Sequence, residues 1–189
     1  MNKKQLTISI TILLSLILFL MVLLVASIDL NSDGVSVGVN NNFSGMELDG
    51  KESYNFTIKT FEGETITLRD FEGTFVLLDF WSSWCGPCKK EAKDLNDLYL
   101  EYKGDSSVEI EFIGVNIWDT EELFFDHLNK YNISYPNGMD TTGEVLFEYG
   151  VRGIPEKYLI DDSGNMVWKF VGPTKKTKLK EYIDLLLVD

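Results

Sequence analysis

The chain is poor in the residues that bind metals and in positive charge. Its 189 residues include two cysteines, one histidine and four prolines. Two thiols and one imidazole fall short of the four ligands a structural zinc site needs, so none is expected. Lys and Arg number 17 against 30 Asp and Glu, for a net charge of −13. Nucleic-acid binding requires clustered basic residues, and docking on an anionic lipid surface requires them as well. Neither partner is expected, and the excess of acids reads as a solvated surface. No internal repeat is visible.

Charge is missing altogether from one long stretch. Lys3 and Lys4 precede residues 6–28, which are apolar or hydroxyl-bearing throughout, and the next charge is Asp29. A run of more than about twenty such residues can cross the hydrocarbon core of a bilayer. The two lysines favour a cytoplasmic N-terminus, which places the rest of the chain outside the cytoplasm. Residues 1–28 are therefore read as a transmembrane anchor or a signal peptide. Val25-Ala26-Ser27 offers a weak cleavage site, but the run is long for the roughly 7–15 apolar residues of a signal peptide. No cysteine lies near it, so a lipid-anchored lipoprotein is excluded.

Residues 29–50 are rich in Asn, Gly, Ser and Asp and read as a flexible linker. Asp29, Asn31, Asp33 and Gly34 imitate the start of a calcium loop, but its twelfth position, a bidentate acid in such loops, is Asn40. Asn42, Asn55 and Asn132 head Asn-x-Ser/Thr sequences, which matter only where exported proteins are glycosylated.

Residues 51–189 suffice for one domain with a substantial core. Residues 54–61 and 65–68 alternate around Glu62-Gly63-Glu64 and predict a hairpin. Residues 74–81 form a continuous apolar strand interrupted only by Asp79, the mark of a central strand buried on both faces. Residues 89–102 carry Ala92, Leu95, Leu98, Tyr99 and Tyr102 at helical spacing. A second buried strand follows at 108–117, then helices at 121–131 and 142–149. A hairpin over 157–160 and 166–171 turns at residues 161–165, and a helix over 176–187 closes the domain. Strands alternating with helices predict an α/β fold, a mixed sheet with helices on both faces.

Both cysteines fall in Trp81-Ser82-Ser83-Trp84-Cys85-Gly86-Pro87-Cys88. A disulfide closing so short a loop removes little entropy from the unfolded chain, so stapling the fold is a poor reason for it. A strand-to-helix turn here puts Cys85 at a helix N-terminus, where the dipole and unpaired N–H groups stabilise a thiolate. Pro87 fits the first turn, where a missing N–H costs nothing. Cys88, about one turn on, can reach the sulfur of Cys85. An attacking and a resolving thiol at fixed spacing is the equipment of thiol–disulfide exchange. Asp79, in a run expected to be buried, has its pKa raised by that burial and can take the proton of Cys88.

Trp-Cys-Gly-Pro-Cys after a buried strand resembles the thioredoxin superfamily, and Gly153-Ile154-Pro155 matches its second motif. The resemblance spans about residues 47–189. It implies a thioredoxin-like fold with an N-terminal β-hairpin, and a cis peptide bond before Pro155. About forty residues separate Val115 from Pro155, and the extra helix and strand resemble the central insertion of exported, membrane-anchored redoxins of the AhpC/TSA-like, cytochrome c maturation type. Asp79 and the Gly-Pro pair depart from that group toward plain thioredoxin. The Thr-x-x-Cys context of peroxiredoxins is absent.

The resemblance implies that Cys85 is the nucleophile, Cys88 the resolving thiol, and Glu91 an acid tuning both. Trp84, Gly86, Pro87, Ile154 and Pro155 are the expected substrate contacts, Pro155 presenting the backbone of Ile154 to a substrate strand. Trp81 is expected in the core, Lys89 and Lys90 as solvated charges, and His127 on the surface. No cofactor beyond the Cys85–Cys88 disulfide, and no metal, is expected. The leading function is an extracytoplasmic, monomeric thiol-disulfide oxidoreductase that reduces exported proteins, apocytochrome c being one candidate, and is recharged by a membrane electron donor. A disulfide-donating oxidase and a non-catalytic binding or chaperone module are the alternatives.

Overall fold

Residues 2–27, 37–60 and 63–187 are described in the computed structural model. Two compact units divide between residues 36 and 37. In the first, α1 (Lys3–Ser27) is a helix of 25 residues. Its large apolar side chains from Ile12 to Val22 are each 52–64% exposed. Among the described residues no helix is long and apolar enough to cross a membrane.

The second unit is built on a six-stranded sheet. Its order is β2 (Ser44–Glu52), β10 (Asn165–Val171), β9 (Glu156–Ile160), β5 (Phe75–Trp81), β6 (Ile110–Ile117) and β7 (Asn137–Asp140). Strands β5, β6 and β7 run parallel, while β9, β10 and β2 each pair antiparallel to their predecessor. The expected N-terminal hairpin is β3 (Thr57–Lys59) with β4 (Thr65–Thr67). A third pair joins β1 (Gly38–Val39) in parallel to β8 (Gly153–Ile154). The helices of this unit are α2 (Gly86–Lys103), α3 (Glu121–Tyr131), α4 (Glu144–Glu148) and α5 (Lys176–Leu186).

Period-two alternation along β5 divides the core. Val76, Leu78 and Phe80 join Ile113 and Val115 of β6 and pack with Phe124 and Leu128 of α3 and Leu146 of α4. Leu77 on the opposite face joins Phe112, Leu159 and Phe170 and packs with Leu95, Leu98 and Tyr99 of α2 and Leu179 and Ile183 of α5. The mixed sheet and its covering helices are those read from the sequence. In α3, Thr120 Oγ1 accepts the Leu123 N–H at 3.3 Å, and Asn132 ends the helix in a left-handed conformation.

The expected linker over 29–50 does not hold for residues 37–50. Residues 44–50 belong to the edge strand β2, and Gly38 and Val39 form β1. Polar composition concealed this because an edge strand facing solvent needs few apolar side chains. Its main chain pairs with β10, and Phe43 packs near Phe170 and Tyr182. Residues 29–36, including the calcium-like Asp29, Asn31, Asp33 and Gly34, lie outside the described residues.

Candidate active site

Strand β5 delivers the two cysteines to the sheet's C-terminal end. The turn after Trp81 is held by one carboxylate. Asp119 accepts hydrogen bonds from Ser82 Oγ at 3.1 Å, from Ser83 N–H and Ser83 Oγ each at 2.6 Å, and from Asn116 Nδ2 at 2.7 Å. Sequence reasoning missed Asp119. Its signal was weak: an acid two residues beyond a buried strand, whose partners in the cysteine turn lie more than thirty residues away. Trp81 is in the core as expected. Its Nε1 donates to Asn137 Oδ1 at 2.8 Å, and its ring stacks on Phe124 and on His127, 4.3 Å between centroids for the latter. Asn137 reaches this position because residue 114 is glycine. A Cβ there would lie 1.8 Å from Asn137 Oδ1.

His127 is not the surface residue expected. It is buried against Trp81 and Tyr131, and that burial pushes its pKa down to about 4. Its Nδ1 has no hydrogen-bond partner among the described residues. His127 lies at helical spacing from Phe124 and Tyr131, and that spacing was the available signal for its burial.

Cys85 caps α2, its Sγ accepting the Cys88 N–H at 3.2 Å. The two cysteines are joined in a disulfide and both are buried. Cys85 Sγ lies 3.7 Å from the carbonyl oxygen of Ile154. The Ile154–Pro155 bond is cis, as the resemblance implies. Trp84 and Gly86 are exposed beside the disulfide, whereas Pro87, Ile154 and Pro155 are buried. Trp84 Nε1 donates to the carbonyl of Trp118 at 3.2 Å, and the two indoles are each 43% exposed. Lys89 and Lys90 are exposed, as expected.

The expected edge at Ile154 is not open. Its carbonyl accepts the Asn40 N–H at 2.8 Å, and Val39 lies opposite Ile154 in the ladder.

Beneath the disulfide, between the sheet and α2, lies a buried charge cluster. Asp79, Glu91 and Lys157 are each under 5% exposed. Lys157 Nζ is 2.5 Å from Glu91 Oε1 and 3.7 Å from Asp79 Oδ1. The other oxygen of Glu91 accepts the Thr174 N–H at 2.7 Å. Burial raises the pKa of Asp79, with Lys157 opposing. Burial raises that of Glu91 to about 7, Lys157 opposing and Asp79 adding to the rise. The Tyr135 hydroxyl is pushed far up by burial and by both carboxylates. Two carboxyls facing one ammonium in a dry site cannot all stay charged without cost, so the cluster retains a proton near neutrality. Glu91 follows Cys88 by three residues and so lies on the same side of α2. The cluster can therefore accept the Cys88 proton during exchange.

The sequence reading contained both acids but not Lys157. In Glu-Lys-Tyr-Leu-Ile, alternation puts Lys157 on the inward face with Leu159, and the register places it opposite Asp79.

Residues 50–169 match the AhpC/TSA family. The chain is 36% identical over 134 residues to the thiol-disulfide oxidoreductase ResA of Bacillus thuringiensis subsp. konkukian, covering 71% of this chain and 76% of that protein. It is 31% identical over 132 residues to the sporulation thiol-disulfide oxidoreductase A of Bacillus subtilis, covering 68% and 78%. The crystal structure of StoA from Bacillus subtilis superposes with a TM-score of 0.61 at 29% identity, covering 69% of this chain and 96% of that one.

Proposed function

The chain belongs to the AhpC/TSA family and is a thiol-disulfide oxidoreductase of thioredoxin-like fold, and from that premise we propose that it is a membrane-tethered reductase of disulfides in exported proteins. The observation that carries the exchange chemistry is the buried cluster of Asp79, Glu91 and Lys157, with Glu91 three residues beyond Cys88 on α2, and the reducing direction rests on the Gly-Pro pair between the cysteines. In the reduced enzyme the Cys85 thiolate, stabilised at the start of α2, attacks one sulfur of a substrate disulfide. The substrate's other sulfur leaves as a thiolate, and a mixed disulfide forms at Cys85. Cys88 passes its proton to the carboxylate cluster and attacks Cys85 Sγ, restoring the Cys85–Cys88 disulfide and releasing the second substrate thiolate. Two electrons pass from the dithiol to the substrate. A dithiol partner in the membrane returns them by the same exchange run backwards.

The uncharged run at residues 6–28 behind Lys3 and Lys4 supports the tether and an extracytoplasmic domain. A polypeptide with a Cys-x-x-Cys disulfide fits the chemistry, and apocytochrome c, with Cys-x-x-Cys-His at its haem site, is the substrate this reading names.

One experiment tests the reading. Membranes carrying the full chain are washed in alkaline carbonate, and the retained protein is equilibrated in thiol buffers and read by thiol alkylation. Retention with a potential near that of thioredoxin, roughly −270 mV, is expected. Release by the wash sinks the tether. A potential near roughly −120 mV, that of a strong disulfide donor, reverses the direction.

A further inference from the structure

Residues 37–49 precede the stretch that matches the family, yet residues 38–40 among them lie along Arg152–Pro155 beside the active site. Gly38 donates its N–H to the Arg152 carbonyl at 2.9 Å, and Asn40 donates its own to the Ile154 carbonyl at 2.8 Å. The Asn40 side chain adds a bond from Nδ2 to the Pro155 carbonyl at 3.3 Å. The fit is close: a Cβ on Gly153 would lie 2.7 Å from Asn40 Oδ1. The Ile154 carbonyl that takes the Asn40 N–H is the one lying 3.7 Å from Cys85 Sγ.

An extended polypeptide adds to a protein by pairing its main chain with unpaired N–H and C=O groups at an edge. A carbonyl already given to Asn40 is not offered to an incoming strand. A substrate segment laid along Ile154 and the Gly38–Val39 strand therefore exclude each other. The two ends of this segment are held very differently. Strand β2 is fixed by antiparallel pairing over residues 44–52, and Asn42 packs so tightly on Gly172 that a Cβ there would lie 2.0 Å from its carbonyl oxygen. The β1 pairing is only two residues long, with Val39 41% exposed. A short, part-exposed pairing opens at lower free energy than a long one. Residues 38–40 can lift while β2 stays in place.

We propose that residues 38–40 are a built-in competitor for the substrate strand and determine which disulfides enter. The site admits polypeptides whose extended segment displaces these residues. Small disulfides, having no main chain to pair, reach Cys85 without regard to them. The proposal rests on exchange at Cys85 and is independent of the direction of electron flow.

The test uses the full chain in detergent micelles. In a Cys88→Ser variant the Cys85 thiolate attacks a peptide activated as its thionitrobenzoate disulfide. Thionitrobenzoate leaves, and the peptide stays bound through a mixed disulfide. A cysteamine adduct made the same way is the reference. Amide hydrogen exchange at Gly38 and Asn40 is expected to quicken in the peptide adduct and to stay slow in the cysteamine adduct. Continued protection in the peptide adduct, or equal quickening in both, overturns the proposal. Independently, Asn40→Pro removes the N–H given to Ile154 and the Nδ2 group given to Pro155. A severalfold fall in KM for a peptide disulfide is expected, the scale of one or two hydrogen bonds. An unchanged or raised KM speaks against competition. Turnover of oxidised glutathione shows in the same preparation that exchange and fold are intact.

Discussion

At the scale of single residues, the proposed exchange draws on groups that make no covalent bond. Lys157 has 0% side-chain exposure and is the cation facing both Asp79 and Glu91. Lys157→Met should raise both carboxyl pKa values further, because the charge that lowers them is gone. The exchange rate at neutral pH is then expected to fall, and its rise with pH to move to more alkaline values. Removing one partner of a buried ion pair should also cost about 3–5 kcal/mol of stability. A pH–rate profile separates the two effects: a merely structural lysine would lower the rate without moving the profile. Both acids were legible in the sequence, Asp79 as a charge in an apolar strand and Glu91 through the family resemblance. Lys157 and Asp119 were not, because each is defined by a partner dozens of residues away. A lysine in a strand reads as solvated until the register sets it opposite an acid.

At the scale of elements, the segment before the hairpin changes the domain most. Strand β2 covers the edge of β10 and brings Phe43 against Phe170 and Tyr182, with Trp168 stacked on Phe170. Phe43 is part-buried, so Phe43→Ala is expected to cost about 2 kcal/mol, below the roughly 3–5 of a fully buried phenylalanine. Chemical denaturation measures this, and a loss under about 0.5 kcal/mol, the usual range for surface substitutions, would return the segment to a tether. The strong strands and helices were read within a few residues because a continuous apolar run or a helical stripe is a local property. Strands β1 and β2 were not, since short or solvent-facing strands carry little such pattern and take their register from neighbours; β7 was legible only as the strand of the central insertion, through the family resemblance.

At the scale of the whole molecule, two buried groups pull the pH dependence of stability in opposite directions. Glu91 is raised from 4.5 to about 7, so the native state keeps a proton that the unfolded chain releases; stability falls as pH rises through that window. His127 is lowered from 6.5 to about 4, so the unfolded chain takes up a proton that the native state refuses; stability falls as pH drops below 6.5. Their slopes oppose between about 4.5 and 6.5. Compared with the parent chain across that interval, Tm of Glu91→Gln should tilt upward with rising pH, and Tm of His127→Gln should tilt downward. Parallel Tm curves for all three chains would show that neither group titrates differently on folding. The sequence by itself determined the chemistry, the α/β class and the order of the main elements, because a Cys-Gly-Pro-Cys turn and hydrophobic periodicity act over a few residues. Tertiary structure alone decided that His127 is buried, that Lys157 neutralises the acids under the disulfide, and that residues 38–40 cover Ile154. Those facts depend on which strands become neighbours, and that choice is made by burying both faces of the sheet at once.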